Sequence, residues 1–395
     1  MMSVTVNKQL SPAKELFLSI ALVAQEISSE TVKMMKEDHS DSIIRNSVIK
    51  SLRKKGYIQR IGERGSYGYA LTGDGYDYIR IKFPDKFQYQ IFQTPSHIYE
   101  RELRGKRRQM SSVLYNLFRE GVDFSDHAAE LAEIFNGEAG SVSKPFFITT
   151  KEMTYVHSRL NTTYGTRLYG AIVTQSKFIL LYAPSIEKNL HARIETGLYQ
   201  SVKNALSFAA APYNLPANIE YLYMYQCDAD IVDSFSEIGK RSAQTASTNR
   251  MYVKSLLKKA YIFRMNGSTY RLSEVFDENR KRAIDAAFME YYEVQPRPRS
   301  NMGDSNISGY YRNTDIPVFM VWDLSPSALV SAMEYTRQKG FGINGQVYLL
   351  CFEEDAKLIA DILNLDRKMA KHFSVCDLPY QEVIRYINGE ITHIE

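Results

Sequence analysis

Asp41-Ser42-Ile43-Ile44-Arg45-Asn46-Ser47-Val48-Ile49-Lys50-Ser51-Leu52-Arg53-Lys54-Lys55 is the stretch whose reading decides the N-terminal fold. Ile44, Val48 and Leu52 recur every fourth residue, which predicts a helix with a buried stripe, Ile43 and Ile49 lying alongside. Arg45, Lys50, Arg53 and Lys54 fall on the opposite face. Asp41-Ser42 opens the helix and Gly56 stops it. Upstream, Leu16, Ile20, Val23 and Ile27 keep helical spacing after Ser11-Pro12, and Ser28-Ser29 cap a second helix over Glu30 to Lys36. Downstream, Tyr57-Ile61 and Tyr67-Leu71 read as short strands joined by a small wing, Glu63-Arg64-Gly65-Ser66. The run Leu71-Thr72-Gly73-Asp74-Gly75-Tyr76 then turns into another helix.

Three helices, the third basic, followed by two strands and a wing, make the element order of a winged helix-turn-helix. Such folds lay the third helix in the major groove of DNA while the wing reaches the backbone. The expected contacts on double-stranded DNA are Arg45, Lys50, Arg53 and Lys54 on the helix and Arg64 at the wing tip. Asn46 and Ser47 lie early in the helix, where base-edge readers sit. The plainer reading is a helix that merely solvates itself with lysine and arginine. The agreement of basic face, wing and element order speaks against it.

A chain of 395 residues, 44% hydrophobic and 24% charged with a mean hydropathy of −0.32, is globular and long enough for two or three domains. No apolar run of membrane-spanning length occurs and the N-terminus lacks an apolar signal core, so the expectation is a cytoplasmic protein with no membrane partner. Cys227, Cys351 and Cys376 are far apart and show neither disulfide nor metal spacing. The net charge of +4 is unevenly spread. Residues 1–109 hold 19 Lys+Arg and 12 Asp+Glu, a balance of +7, which leaves −3 for the rest. That asymmetry points to an anionic partner for the N-terminal part.

After an irregular aromatic stretch over 80–99, a helix is predicted from Ser96 to Glu120. It contains Arg104, Lys106, Arg107 and Arg108 in the densest basic run of the chain. One reading makes these a second phosphate-contacting surface. The other makes them a solvated face with intrahelical Glu–Arg pairs. A further helix covers Asp126–Phe135, with a boundary near Asn136-Gly137. Beyond Lys144 come a strand at Phe146–Thr149, a helix from Glu152 and a hairpin of Arg167–Thr174 with Lys177–Ala183. A helix over Ser185–Ala210, a strand at Ile219–Cys227 and a helix from Asp228 follow. Lys240–Asn249 reads as a linker, Tyr261–Met265 as a strand, Glu274–Tyr292 as one helix and Gln295–Tyr310 as a loop. The end of the chain alternates strand and helix from Ile316 to Ile387, which implies a parallel sheet. A strand-helix-strand-helix order occurs at 177–235 and again at 316–363. The expected segmentation is thus 1–95 for the winged helix, 96–140 for a basic connector, and 141–240 and 250–395 for two α/β domains.

No P-loop, no glycine-rich dinucleotide loop and no His or Cys metal spacing is present. His157 stands alone. Trp322-Asp323 ends a strand, where ligands of α/β sheets cluster, although Asp323 reads equally well as a cap beside Ser325. Glu353, Glu354 and Asp355 suit a helix N-terminus without any further role.

The winged helix with its Leu71-Thr72-x-x-Gly75 run, basic helices and hairpin-helix-strand unit together resemble the replication-relaxation family of plasmids and conjugative elements. The resemblance covers residues 11–235. It implies a restriction-endonuclease-like α/β domain, with conjugation or replication proteins and a second copy of the chain as partners. Nicking members of that family carry metal-binding carboxylates on the two hairpin strands, which activate a nucleophile on phosphate. Here those strands read Tyr169-Gly170-Ala171-Ile172-Val173 and Phe178-Ile179-Leu180-Leu181-Tyr182, with no carboxylate. Glu187, Glu195 and Asp228 are the nearest acids. The expectation is therefore a sequence-specific duplex-DNA binder of a mobile element, acting in origin recognition, as a relaxosome or replication accessory or as a regulator, without a cofactor and without nuclease activity. Two alternatives stand beside it. One is a relaxase whose Mg²⁺ is held by those acids. The other is a transcription regulator controlled by a ligand or by dimerisation.

Overall fold

The computed structural model describes residues 10–62, 67–84, 86–87, 101–136, 142–156, 168–183, 192–210, 218–244, 260–296, 307–312, 314–339 and 346–394. The chain is mixed α/β and divides into two compact units. One comprises Met1–Ser158, Tyr169–Gln175 and Ala211–Tyr213, and the other Arg159–Leu168, Ser176–Ala210 and Asn214–Glu395.

The first unit opens with α1 (Pro12–Ala24), whose proline occupies the first helical turn, where its missing N–H costs nothing. The helix buries Phe17, Leu18, Ile20, Ala21, Leu22 and Ala24. The expected stripe is therefore rotated, since Leu16 and Val23 are only half-buried. Gln25, in a left-handed conformation (φ 67°), ends the helix, so Ile27 belongs to the two-residue strand β1 (Ile27–Ser28) instead. Ser28 caps α2 (Ser29–His39), its hydroxyl accepting from the Thr31 N–H at 3.0 Å.

The next helix, α3, is π-wound over Ile43–Lys50 and α-helical over Ser51–Lys54. A regular α-helix was the expectation. Ile44, Val48 and Leu52 are buried as expected, but Ile43 is 47% exposed and takes no part in the stripe. Gly56 (φ 75°) closes the helix. Its N–H reaches Arg53 O, and Tyr57 N–H reaches Leu52 O, both at 3.0 Å.

Strands β2 (Ile58–Ile61) and β3 (Gly68–Leu71) pair antiparallel, and β1 pairs with the other edge of β3, giving the order β1-β3-β2. Thr72 then caps α4 (Gly73–Lys82), its hydroxyl accepting from Gly75 N–H. Only glycine fits at 75, because a Cβ there would lie 2.1 Å from the Tyr57 carbonyl oxygen. The Leu71-Thr72-x-x-Gly75 run is thus accounted for locally by a cap and a close approach.

Helix α5 (Arg101–Arg119) packs on α1, α2 and β1 through the buried Val113, Leu114 and Leu117. Four buried hydroxyls join it to α2. The Thr31 hydroxyl lies 2.9 Å from that of Ser28, 2.8 Å from that of Ser111 and 3.0 Å from that of Ser112. The rest of the unit is α6 (Ala128–Asn136), β4 (Phe146–Thr149), α7 (Thr150–Val156) and β5 (Leu168–Val173), with β4 antiparallel to β5.

The second unit contains two β-α-β-α-β runs. In the first, β6 (Lys177–Tyr182), β7 (Asn218–Tyr225) and β8 (Ala260–Arg264) are parallel, and α8 (Ala192–Ala210) and α9 (Asp228–Gln244) connect them. Because α9 runs to Gln244, the first half of the expected linker is helical. The expected helix over Glu274–Tyr292 is two helices, α10 (Leu272–Phe276) and α11 (Glu278–Tyr291). Asp277 separates them and caps the second, accepting from Asn279 N–H at 2.8 Å. Both ends of the expected loop Gln295–Tyr310 are strand: β9 (Val294–Pro296) and β10 (Gly309–Tyr311). In the second run, β11 (Pro317–Met320), β12 (Val347–Phe352) and β13 (Phe373–Leu378) are parallel. Helices α12 (Pro326–Lys339) and α13 (Glu353–Leu363) connect them, and the antiparallel β10 and β9 extend the sheet. Helix α14 (Tyr380–Ile387) follows β13. Among the described residues no helix is long and apolar enough to cross a membrane.

Candidate nucleic-acid interface

The buried stripe of α3 fixes which of its residues face solvent. With Ile44 at 2%, Val48 at 1% and Leu52 at 0% exposure against α1 and α2, the remaining face must turn outward. Arg45, Asn46, Ser47, Lys50, Arg53 and Lys54 are all exposed, and so are Lys55 and Arg60 just beyond. From Asp41 to Arg60 the chain has six cations and one carboxylate. That carboxylate, Asp41, is taken by Lys36 of α2 at 2.6 Å. Among the described residues no carboxylate lies within ion-pair distance of Arg45, Lys50, Arg53 or Lys54. Arg64 lies outside the described residues.

The basic run on α5 is placed differently. Arg104 grips Glu26 with two charge-assisted hydrogen bonds, Nε to Oε2 at 3.0 Å and Nη2 to Oε1 at 2.7 Å, and Glu26 is fully buried. One turn on, Arg108 binds Glu30 at 3.0 Å. The i, i+4 spacing of the arginines matches that of the two glutamates, so one face of α5 is sewn to the edge of the three-helix layer. Arg107 is half-buried near Lys151, whose amine burial holds below the ordinary lysine value, with the Arg107 charge adding to the effect. Lys106 is exposed, its ammonium 5.3 Å from the Tyr169 ring centre. Beside the two alternatives read for this run stands a third role: Arg104 and Arg108 each bind a glutamate outside α5 and so tie elements together. Their acidic partners lie 78 residues earlier, a separation no local pattern betrays.

Of the three candidate acids, Asp228 is the one whose side chain is described. Glu187 lies outside the described residues, as does the side chain of Glu195, which sits on α8. Asp228 opens α9 and faces Arg264 at 3.4 Å, its side chain half exposed. Strands β5 and β6 are buried along their whole length. Among the described residues no three His, Cys, Asp or Glu side chains are grouped as metal ligands. His157 also lies outside the described residues.

The charges singled out in the last part of the chain are engaged inside the second unit. Asp355, fully buried at the start of α13, forms an ion pair with Arg264 of β8 and accepts from the Thr269 hydroxyl at 3.1 Å. Burial pushes its carboxyl up to about 6, against the pull of Arg264. Asp323 both caps the start of α12, accepting from Ser325 N–H at 3.0 Å, and holds Lys281 at 2.7 Å. Lys177 is buried between Glu278 at 2.7 Å and Glu220 at 3.3 Å, and its ammonium also donates to Val275 O at 2.8 Å. The Trp322 indole donates to Asp285 at 2.7 Å. Burial raises Asp285 to about 6, with the charge of Asp323 helping and the indole bond opposing. The carboxyl ends of β11 and β12 are therefore closed by Lys281, Tyr270 and Arg264, and the expected ligand position at Trp322-Asp323 is filled with protein. No family model, curated protein or solved structure matches the chain.

Proposed function

We propose that the segment from α1 to α4 is a winged helix-turn-helix that binds double-stranded DNA, with α3 in the major groove. One observation carries this reading: Lys50, Arg53 and Lys54 stand exposed, with no carboxylate within ion-pair distance among the described residues, on a helix whose other face is locked into the core. A solvated surface helix ordinarily alternates charge signs, whereas a phosphate-facing helix keeps one sign. Lys50, Arg53 and Lys54 meet phosphates, and Asn46 and Ser47 face base edges. The missing carboxylates on β5 and β6 support a binder that leaves the strand intact. The resemblance to proteins of mobile elements makes an origin or a promoter of such an element the target, and the chain an accessory or regulator there.

The test uses the full-length chain and fluorescently labelled duplex DNA. Affinity should fall linearly on a log–log plot as salt rises, and no binding at about 50 mM salt refutes the reading. Footprinting on DNA flanking the gene separates an origin from a promoter. Supercoiled plasmid carrying the footprinted site should stay closed in Mg²⁺ or Mn²⁺. Nicking that vanishes on changing Glu187, Glu195 or Asp228 establishes the relaxase alternative instead.

A further inference from the structure

Strand β2 carries a cation that the helix pattern does not reveal. Arg60 is exposed, and its guanidinium carbon lies 4.1 Å from the centre of the Tyr67 ring, a stacked cation–π contact across the β2–β3 ribbon. The register explains the pairing. Arg60 stands opposite Tyr69, and Tyr67 lies two residues further along β3's side, on the same face. The tyrosines are themselves held. Tyr67 meets Tyr69 edge-on at 6.1 Å, and Tyr69 meets Phe17, fully buried in α1, edge-on at 6.1 Å. A guanidinium at the outer part of the ribbon is thus fixed by three rings leading back to the core. Among the described residues no carboxylate pairs with it. Lys55, at the root of the same strand, only loosely repeats the arrangement, 5.8 Å from Tyr57.

We propose that Arg60 is a DNA-phosphate contact and that Tyr67 is its positioning residue. The inference rests on the duplex-DNA reading of α3 and extends it to the ribbon. A free arginine loses rotamer freedom when it settles on a phosphate. One already held over a ring loses less. The ligand is the sugar-phosphate backbone, so the contribution is independent of base sequence.

The experiment titrates random-sequence duplex onto the full chain across a salt series, with thermal melts as a folding control. Arg60→Ala should weaken binding about tenfold and flatten the salt slope by about one unit. Tyr67→Leu keeps the charge and the apolar bulk but removes the ring. It should weaken binding by about threefold with the slope unchanged. Tyr67→Phe retains the ring and should bind as wild type. The double variant Arg60→Ala/Tyr67→Leu should bind no worse than Arg60→Ala, because the ring acts only through the arginine. Wild-type protein that fails to bind DNA overturns the function and this inference together. Wild-type binding with an unchanged slope in Arg60→Ala, or strictly additive losses in the double variant, overturns this inference alone.

Discussion

Arg53 and Lys54 stand in solvent at the end of α3, whereas Arg104, in a run that is denser in positive charge, is clamped on a buried glutamate. Both helices belong to the same unit and both are amphipathic. The difference lies in what the neighbouring elements supply. Among the described residues, the elements packed on α3 bring no carboxylate within ion-pair distance of Lys50, Arg53 or Lys54. Helix α5 crosses Glu26, just before β1, and Glu30, in the first turn of α2, and its arginines meet those carboxylates. Local density of positive charge is therefore a poor guide to how much of that charge stays clear of carboxylates. The informative quantity is positive charge left over after intramolecular pairing.

The largest effect should come from reversing the unpaired charges. Arg53→Glu/Lys54→Glu introduces repulsion at two phosphate positions and should lower duplex affinity by at least about a hundredfold. The melting temperature should hardly move, since both side chains are exposed. Retained affinity at moderate salt would show that α3 is not the reading helix. Arg104→Ala should do the reverse. It strands Glu26, at 0% exposure, without its partner, and should cost about 3 kcal/mol of stability in urea unfolding. A stable Arg104→Ala protein with weakened DNA binding would return Arg104 to the phosphate-contacting set.

The element types and the α3 stripe were legible in the sequence because they follow from four-residue spacing and from glycine and serine stops. The sign of the exposed face of α3 was legible too, since one carboxylate among six cations cannot neutralise it. Three features were not. The π-winding of Ile43–Lys50 leaves Ile44 and Val48 buried, so the apolar period does not register it. The two-residue strand β1 is too short to show alternation. The fate of Arg104 and Arg108 depends on partners nearly eighty residues away. In the second unit, Asp323 looks like a site acid from its place at a strand end, and Asp355 like an ordinary helix-start carboxylate. Only their pairing with Lys281 and Arg264 reveals that they hold the interior together.

Buried acids extend the comparison to pH. Asp285 is raised by burial to about 6, above its ordinary value of 3.8, so the native state holds the proton more tightly than the unfolded chain. Stability contributed in this way is present at low pH and is lost as pH rises from about 4 to about 6. Asp285→Asn keeps an acceptor for the Trp322 indole and removes the titration. It should flatten that part of the stability profile and add on the order of 1 kcal/mol at neutral pH. An unchanged profile, measured by urea unfolding across this range, would show that Asp285 ionises at its ordinary value.

Arg108→Ala should have the smallest effect, and it tests whether pairing or burial decides the outcome. Arg108 and Arg104 lie one turn apart on α5, and each binds a glutamate at hydrogen-bonding distance. Their partners differ. Glu26 is sealed, with 1% of its side chain exposed, while the side chain of Glu30 is 54% exposed. When Arg104 is removed, Glu26 loses its two-bond partner at a site where 1% of its side chain is exposed. When Arg108 is removed, solvent takes over at Glu30, so the loss should be that of a surface pair, below about 1 kcal/mol. Part of the existing benefit to Glu30 also survives. Burial raises its carboxyl, but its own backbone N–H bond outranks Arg108 among the effects that hold it below the ordinary value. Equal losses for the two alanine variants in urea unfolding would show that the hydrogen-bonded contact itself sets the cost. A loss at 104 several times that at 108 would assign the cost to the stranded buried carboxylate.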